Sequence, residues 1–252
     1  MSDEDVKVES SGLSVGRGLA PTRAAFDNGA VFLGKHTRTT PAVAISLAMR
    51  AGSICDPDDA VGATWLLSRV IDRGTLTRSA LDIAEELDNR GISLTIAVTR
   101  HILSLVCTCL AEDFEPVFSL LGEILMQPSL PGDEIATRKR EVVTAIRQDE
   151  DNPAVRATES LMALLYPDGH PCGRPTKGTI DVVEGLTRER LLRLHADRFA
   201  PSELTAVIVG DVEVDRARDL AERAFGGWRK PRPVPVPLAS PAPRSSRQRL
   251  VV

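Results

Sequence analysis

The chain has 252 residues, of which 42% are apolar and 26% charged, and it carries a formal net charge of −4. That balance suits one large domain or two small ones with a substantial core, and it excludes the strongly basic faces that nucleic acids and anionic membranes select for. No apolar run approaches the about 18 residues needed to span a bilayer. The start, MSDEDVKVES, is acidic and polar, without the basic and apolar regions of a secretory signal, so a cytoplasmic protein with no nucleic-acid or membrane partner is expected.

Residues 1–22 lack apolar periodicity and are expected to form a flexible arm. Asp27, Asn28 and Gly29 signal a turn before a strand over 30–33. A second strand follows over 41–49, where Val43, Ile45 and Leu47 alternate with small residues. A helix over 61–72 ends at Gly74, and Ser79 caps another that runs to residue 89. Two strands over 93–98 and 102–110 are joined by a short connection, which predicts antiparallel pairing. Asp113 stands where it could cap a long apolar helix to residue 126, and Pro128 and Pro131 end it. Helices are predicted over 132–151, 153–166 and 187–199, then a strand over 204–209 and a last helix over 214–225.

This order predicts an α+β fold, a mostly antiparallel sheet with helices stacked on one face. Residues 23–230 make up the folded module. From 231 to 247 alternate prolines predict an extended linker, and the apolar residues 248–252 read as the start of a second module. A natural C-terminus of unusual composition is the alternative.

The candidate chemical groups are sparse. Cys107 and Cys109 lie on one face of a predicted strand and lack the C-x-x-C spacing of a metal site, so the four cysteines, with Cys55 and Cys172, are expected to be buried thiols. His36, His101, His170 and His195 include no pair at helical spacing. Carboxylates cluster over 147–153 but lack the fixed ligand spacing of a calcium loop. No G-x-S-x-G elbow or glycine-rich phosphate loop is present.

Several short signatures then arrive in a familiar order. They are Arg50 to Ser53 with Asp56-Pro57, residues 62–75 (GATWLLSRVIDRGT), residues 91–94 (GISL), residues 170–174 (HPCGR) and residues 209–211 (VGD). Together they resemble the pitrilysin/insulinase-type zinc metallopeptidases, whose active members carry an inverted H-x-x-E-H motif in a helix ending in G-T. The resemblance implies half of a clamshell-shaped peptidase. It matches Trp65 to the first zinc-ligand histidine, Ser68 to the general-base glutamate and Arg69 to the second histidine. A third ligand would fall at Thr144 or Ala145, with Glu141 a turn early. Zinc needs imidazole, thiolate or carboxylate donors at about 2.0–2.3 Å, and a permanently charged guanidinium repels the cation. The chain is therefore expected to hold no zinc and to cut no peptide alone, zinc belonging to a partner subunit.

The resemblance implies a non-catalytic subunit that gives chamber wall and peptide contacts to a homologous catalytic partner, or that self-associates through homologous modules. Extended substrate would pair with a strand among residues 92–110. A structural assembly subunit and an active zinc endopeptidase are the alternatives.

Overall fold

A computed structural model describes residues 20–167 and 169–236. The remainder of the expected arm, Asp168, and residues 237–252 of the expected linker and second module lie outside the described residues. Residues 231–236 have no regular structure.

Among the described residues six strands form one sheet: β1 (Thr22–Ala25), β2 (Val31–His36), β3 (Ala42–Met49), β4 (Thr95–Val98), β5 (Leu103–Leu110) and β6 (Leu204–Gly210). Their spatial order is β1-β2-β6-β3-β5-β4. Only β2 and β6 run parallel, and every other neighbouring pair is antiparallel. The alternation of side chains decides which face is covered. Val43, Ile45, Leu47 and Met49 of β3 are buried, as are Leu103, Leu105, Cys107 and Cys109 of β5 and Leu204, Ala206 and Ile208 of β6. Their alternates, including Val106 and Val209, are exposed or half-buried.

Eight helices are described: α1 (Ala63–Val70), α2 (Ala80–Asp88), α3 (Phe114–Met126), α4 (Gly132–Glu150), α5 (Pro153–Leu165), α6 (Ile180–Gly185), α7 (Arg188–Arg198) and α8 (Val214–Phe225). Helix α3 packs on β3 and β5, and α8 on β2. Their shared core contains Phe114, Phe118 and Phe225, with ring centroids 5.7 Å and 5.6 Å apart in sequence. Helix α1 lies against α4, α7 and β4. The architecture is the expected α+β half-clamshell, a mostly antiparallel sheet with its helices on one face. None of these helices is long and apolar enough to cross a membrane.

Several local expectations need correction. Strand β1 takes Thr22 into the sheet opposite Gly34, so the folded part begins inside the expected arm. Helix α1 is shorter at both ends than the expected 61–72. Ser79 caps α2 as expected, in a reciprocal capping box with Asp82. Asp113 stands at the N-cap of α3, but its side chain makes no capping hydrogen bond and accepts from Arg90 Nε at 3.1 Å.

Candidate functional site

The separated signatures converge on the N-terminal end of α1. Asp56 is buried, and its carboxylate accepts from Gly62 N at 2.8 Å, Thr64 N at 2.9 Å and Thr64 Oγ1 at 2.6 Å. It therefore satisfies orphan donors of the first turn from outside the helix. Burial pushes its carboxyl up to about 6, against the opposing pull of those hydrogen bonds and of Arg174. Arg174 donates to Asp56 O at 3.2 Å and to Asp58 Oδ1 at 2.6 Å, and Arg190 pairs with Asp59. The H-P-x-G-R segment thus clamps the D-P turn that launches α1.

Gly62 has φ +95°, and a Cβ there would meet Lys177 O at 2.4 Å. Only glycine allows this approach, and it seats the loop of Lys177 and Gly178 beside Trp65. Lys177 Nζ lies 5.4 Å from the Trp65 ring centroid and pairs with Asp149 Oδ2 at 2.6 Å. At the other end of the motif, Thr75 Oγ1, Thr77 Oγ1 and Arg78 all reach the Glu123 carboxylate of α3. This anchors the G-T that ends the motif.

The motif positions themselves face two different hollows. Trp65 lines one of about 640 Å³ with Ile146, Asp149, Val155, Glu159 and Lys177. Ser68 and Arg69 line another of about 110 Å³ with Asp72, Arg73, Leu94, Ile96 and Arg138. Ser68 is buried, and its hydroxyl donates to Trp65 O at 2.7 Å. Of the positions offered on α4, Thr144 donates to Arg140 O at 2.9 Å and lines a separate hollow with Lys139 and Arg147. Ala145 is half-buried, and its neighbour Ile146 is the α4 side chain that shares the hollow of Trp65. Glu141 pairs with Arg138 at 2.6 Å, and that bond, followed by the charges of Arg69 and Arg73, holds its carboxyl below the usual range.

These side chains do not make a zinc donor set. The indole of Trp65 and the methyl of Ala145 offer no basic lone pair, and Arg69 is a cation. Ser68 is no proton acceptor for a metal-bound water. Among the described residues no group of three or more His, Cys, Asp or Glu side chains is arranged to hold a metal. His195 is buried, with Nε2 2.8 Å from Leu125 O. His36 lies beside Asp211 and Glu213, and His170 Nδ1 accepts from Cys172 N at 3.1 Å. His101 lines a different hollow with Arg50 and Arg198. All four cysteines are buried and free.

Lys177, Arg73 and Arg138 were not singled out by the sequence. The glycine of the K-G pair was the available signal, because Gly178 has φ +80° and packs on Val61 O. Arg138 carries no comparable mark.

Residues 31–179 match the sequence profile of the insulinase family (peptidase family M16), and residues 185–252 match that of the peptidase M16 inactive domain. The chain belongs to the insulinase family. It is 24% identical over 210 residues to an uncharacterized zinc protease of Mycobacterium leprae, covering 83% of this chain and 47% of that one. It is 25% identical over 225 residues to a probable mitochondrial-processing peptidase subunit beta of Schizosaccharomyces pombe, covering 89% of this chain and 48% of the relative. The crystal structure of a peptidase M16 inactive domain from Pseudomonas fluorescens superposes with a TM-score of 0.80 at 22% identity, covering 86% of this chain and 53% of that one. The chain spans about half the length of the curated relatives it matches.

Proposed function

We propose that this chain is a non-catalytic module of a two-component zinc peptidase. It gives chamber wall and peptide-binding surface to a homologous catalytic partner, and the zinc belongs to that partner. The observation that carries this reading is the donor chemistry of α1: Trp65, Ser68 and Arg69 stand at the three motif positions, and the α4 side chain that shares the hollow of Trp65 is Ile146. No step of zinc hydrolysis can be assigned to this set.

Three observations support the partner half of the reading. The curated relatives are about twice as long as the stretch this chain matches. One of them is named as a subunit. Strand β4 also ends the sheet, and its outer edge has no strand partner among the described residues. Such an edge offers backbone hydrogen bonds to an extended peptide. The proposed compartment is the cytoplasm, which the free, buried thiols support.

The test is to mix the purified chain with a homologue from the same genome that carries an intact H-x-x-E-H, and to assay peptide cleavage. A stable complex with stimulated cleavage, and silence from this chain alone, is the expected result. Absence of both complex and stimulation removes the reading, and hydrolysis by the isolated chain reverses it.

A further inference from the structure

The smaller of the two hollows carries a charge pattern opposite to that of a metal site. Three guanidinium groups line it, Arg69 and Arg73 from the α1 end and Arg138 from α4, against the single lining carboxylate of Asp72. Two of the three are partly neutralised. Arg138 pairs with Glu141 at 2.6 Å and Glu134 at 3.4 Å, and Arg73 lies 3.3 Å from Asp72. Arg69 is exposed, and its charge acts on the carboxylates of Glu141 and Asp72 without a direct ion pair or hydrogen bond among the described residues.

The donors are also incompletely used. The Nε–H of Arg138 is buried and meets no hydrogen-bond acceptor, and that of Arg73, also buried, makes no hydrogen bond although Asp72 Oδ1 lies 3.3 Å away. A buried donor without an acceptor is costly, and arginine offers five N–H groups in a rigid fork with no lone pair of its own. The complementary group is a planar anion with two oxygens, because guanidinium and carboxylate pair bidentately. A volume of about 110 Å³ suits such a small group and little more.

The position of the hollow narrows the source of that anion. Leu94 and Ile96 form its third wall, and Ile96 belongs to β4, an edge strand whose outer side has no strand partner among the described residues. A peptide added to that edge turns every second side chain toward one face of the sheet.

We propose that this hollow is a carboxylate-binding subsite, and that it takes the side chain of an acidic residue in a peptide lying along β4. The assignment rests on the peptide-binding reading for its ligand, while the anion site itself rests on the three arginines alone. Of the motif positions only Ser68 and Arg69 line this hollow, and there the chain presents protein cations and selects an anion.

The full chain is titrated, with the arginine Nε–H and backbone amide resonances followed by NMR. Four probes are used: N-acetyl-glutamate methylamide, its glutamine counterpart, and an extended peptide in a glutamate and a glutamine version. The glutamate probe is expected to shift the Nε–H signals of Arg69, Arg73 and Arg138, and the glutamine probe is not. The glutamate peptide is expected to bind about tenfold tighter than its glutamine twin at low salt. That preference should collapse in Arg69→Gln and at about 0.5 M salt, where exposed charges are screened. Arg69 is exposed, and the backbone spectrum of the variant reports whether the fold is intact. If both peptides shift β4 equally, the subsite is wrong and the peptide-binding reading stands. If the glutamate probe shifts the three arginines but no peptide touches β4, the peptide reading fails and the anion site stands. Arginine signals that ignore every carboxylate, or a preference that survives Arg69→Gln, overturn the proposal.

Discussion

The two faces of α1 differ in what they serve. Its inner face puts Leu66, Leu67 and Val70 into the core at 0% exposure, and Asp56 caps its first turn from outside the helix. Its outer face carries Trp65 and Arg69 along the seam with α4. The inner face is buried and the motif's flanking Gly62 and G-T are present, while the outer face keeps none of the donors. A helix register is fixed by burial on one side only, so residues on the other side can change chemistry without loss of the fold. Metal chemistry and fold specification are therefore separable within a single eight-residue helix.

The largest effect is expected on the inner face. Leu67→Ala should destabilise the chain by about 2–5 kcal/mol, from lost burial and the cavity left behind, as measured by urea unfolding at unchanged m-value. A loss below about 1 kcal/mol would break the contrast between the faces.

Two buried ionisable groups give the fold its acid response, with opposite signs. Burial pushes the His195 imidazole down to about 4 from an ordinary 6.5, against the favourable bond to Leu125 O. Between those values the unfolded chain binds the extra proton, so stability falls as pH drops from about 6.5 toward 4. The loss is on the order of 3 kcal/mol, and a His195→Leu variant should lack it in unfolding curves taken across that range. Asp56, raised to about 6 by burial, binds its proton in the folded chain first. Stability gained from this group is present below its unfolded value near 3.8 and is lost as pH rises through about 6. Asp56→Asn removes that offset, so its stability should fall more steeply than the parent's between pH 6 and 4. An unchanged slope would mean that Asp56 does not titrate in that window.

The smallest stability effect belongs to the outer face. Arg69→Ala should shift stability by no more than about 0.5 kcal/mol, as surface substitutions do, while changing the response to anions. A large destabilisation would mean that the seam is part of the core after all.

Much of the fold could be read from local chemistry. The alternation in β3 and the capping Ser79 each act within a few residues, and each appears where it was expected, whereas α1 ends at Val70, before the expected stop at Gly74. Strand β1 was invisible because Thr-Arg-Ala-Ala has no buried face, and only pairing with β2 makes it a strand. Helix α6 is a six-residue segment with a single buried side chain, too short for a periodic signal. Asp113 looked like a cap, and the distant Arg90 decided otherwise. The same division holds at the site. Trp65, Ser68 and Arg69 are legible from motif spacing, whereas Lys177 and Arg138 reach it from segments far along the chain. Their roles depend on a glycine contact and on helix packing that no local pattern encodes.

The central claim concerns the donor set on α1, and metal analysis of the purified full chain after equilibration with zinc tests it directly. The expected result is no stoichiometric zinc and no peptide hydrolysis by the chain alone. About one zinc per chain, held between α1 and α4, together with cleavage that a chelator abolishes, would contradict it.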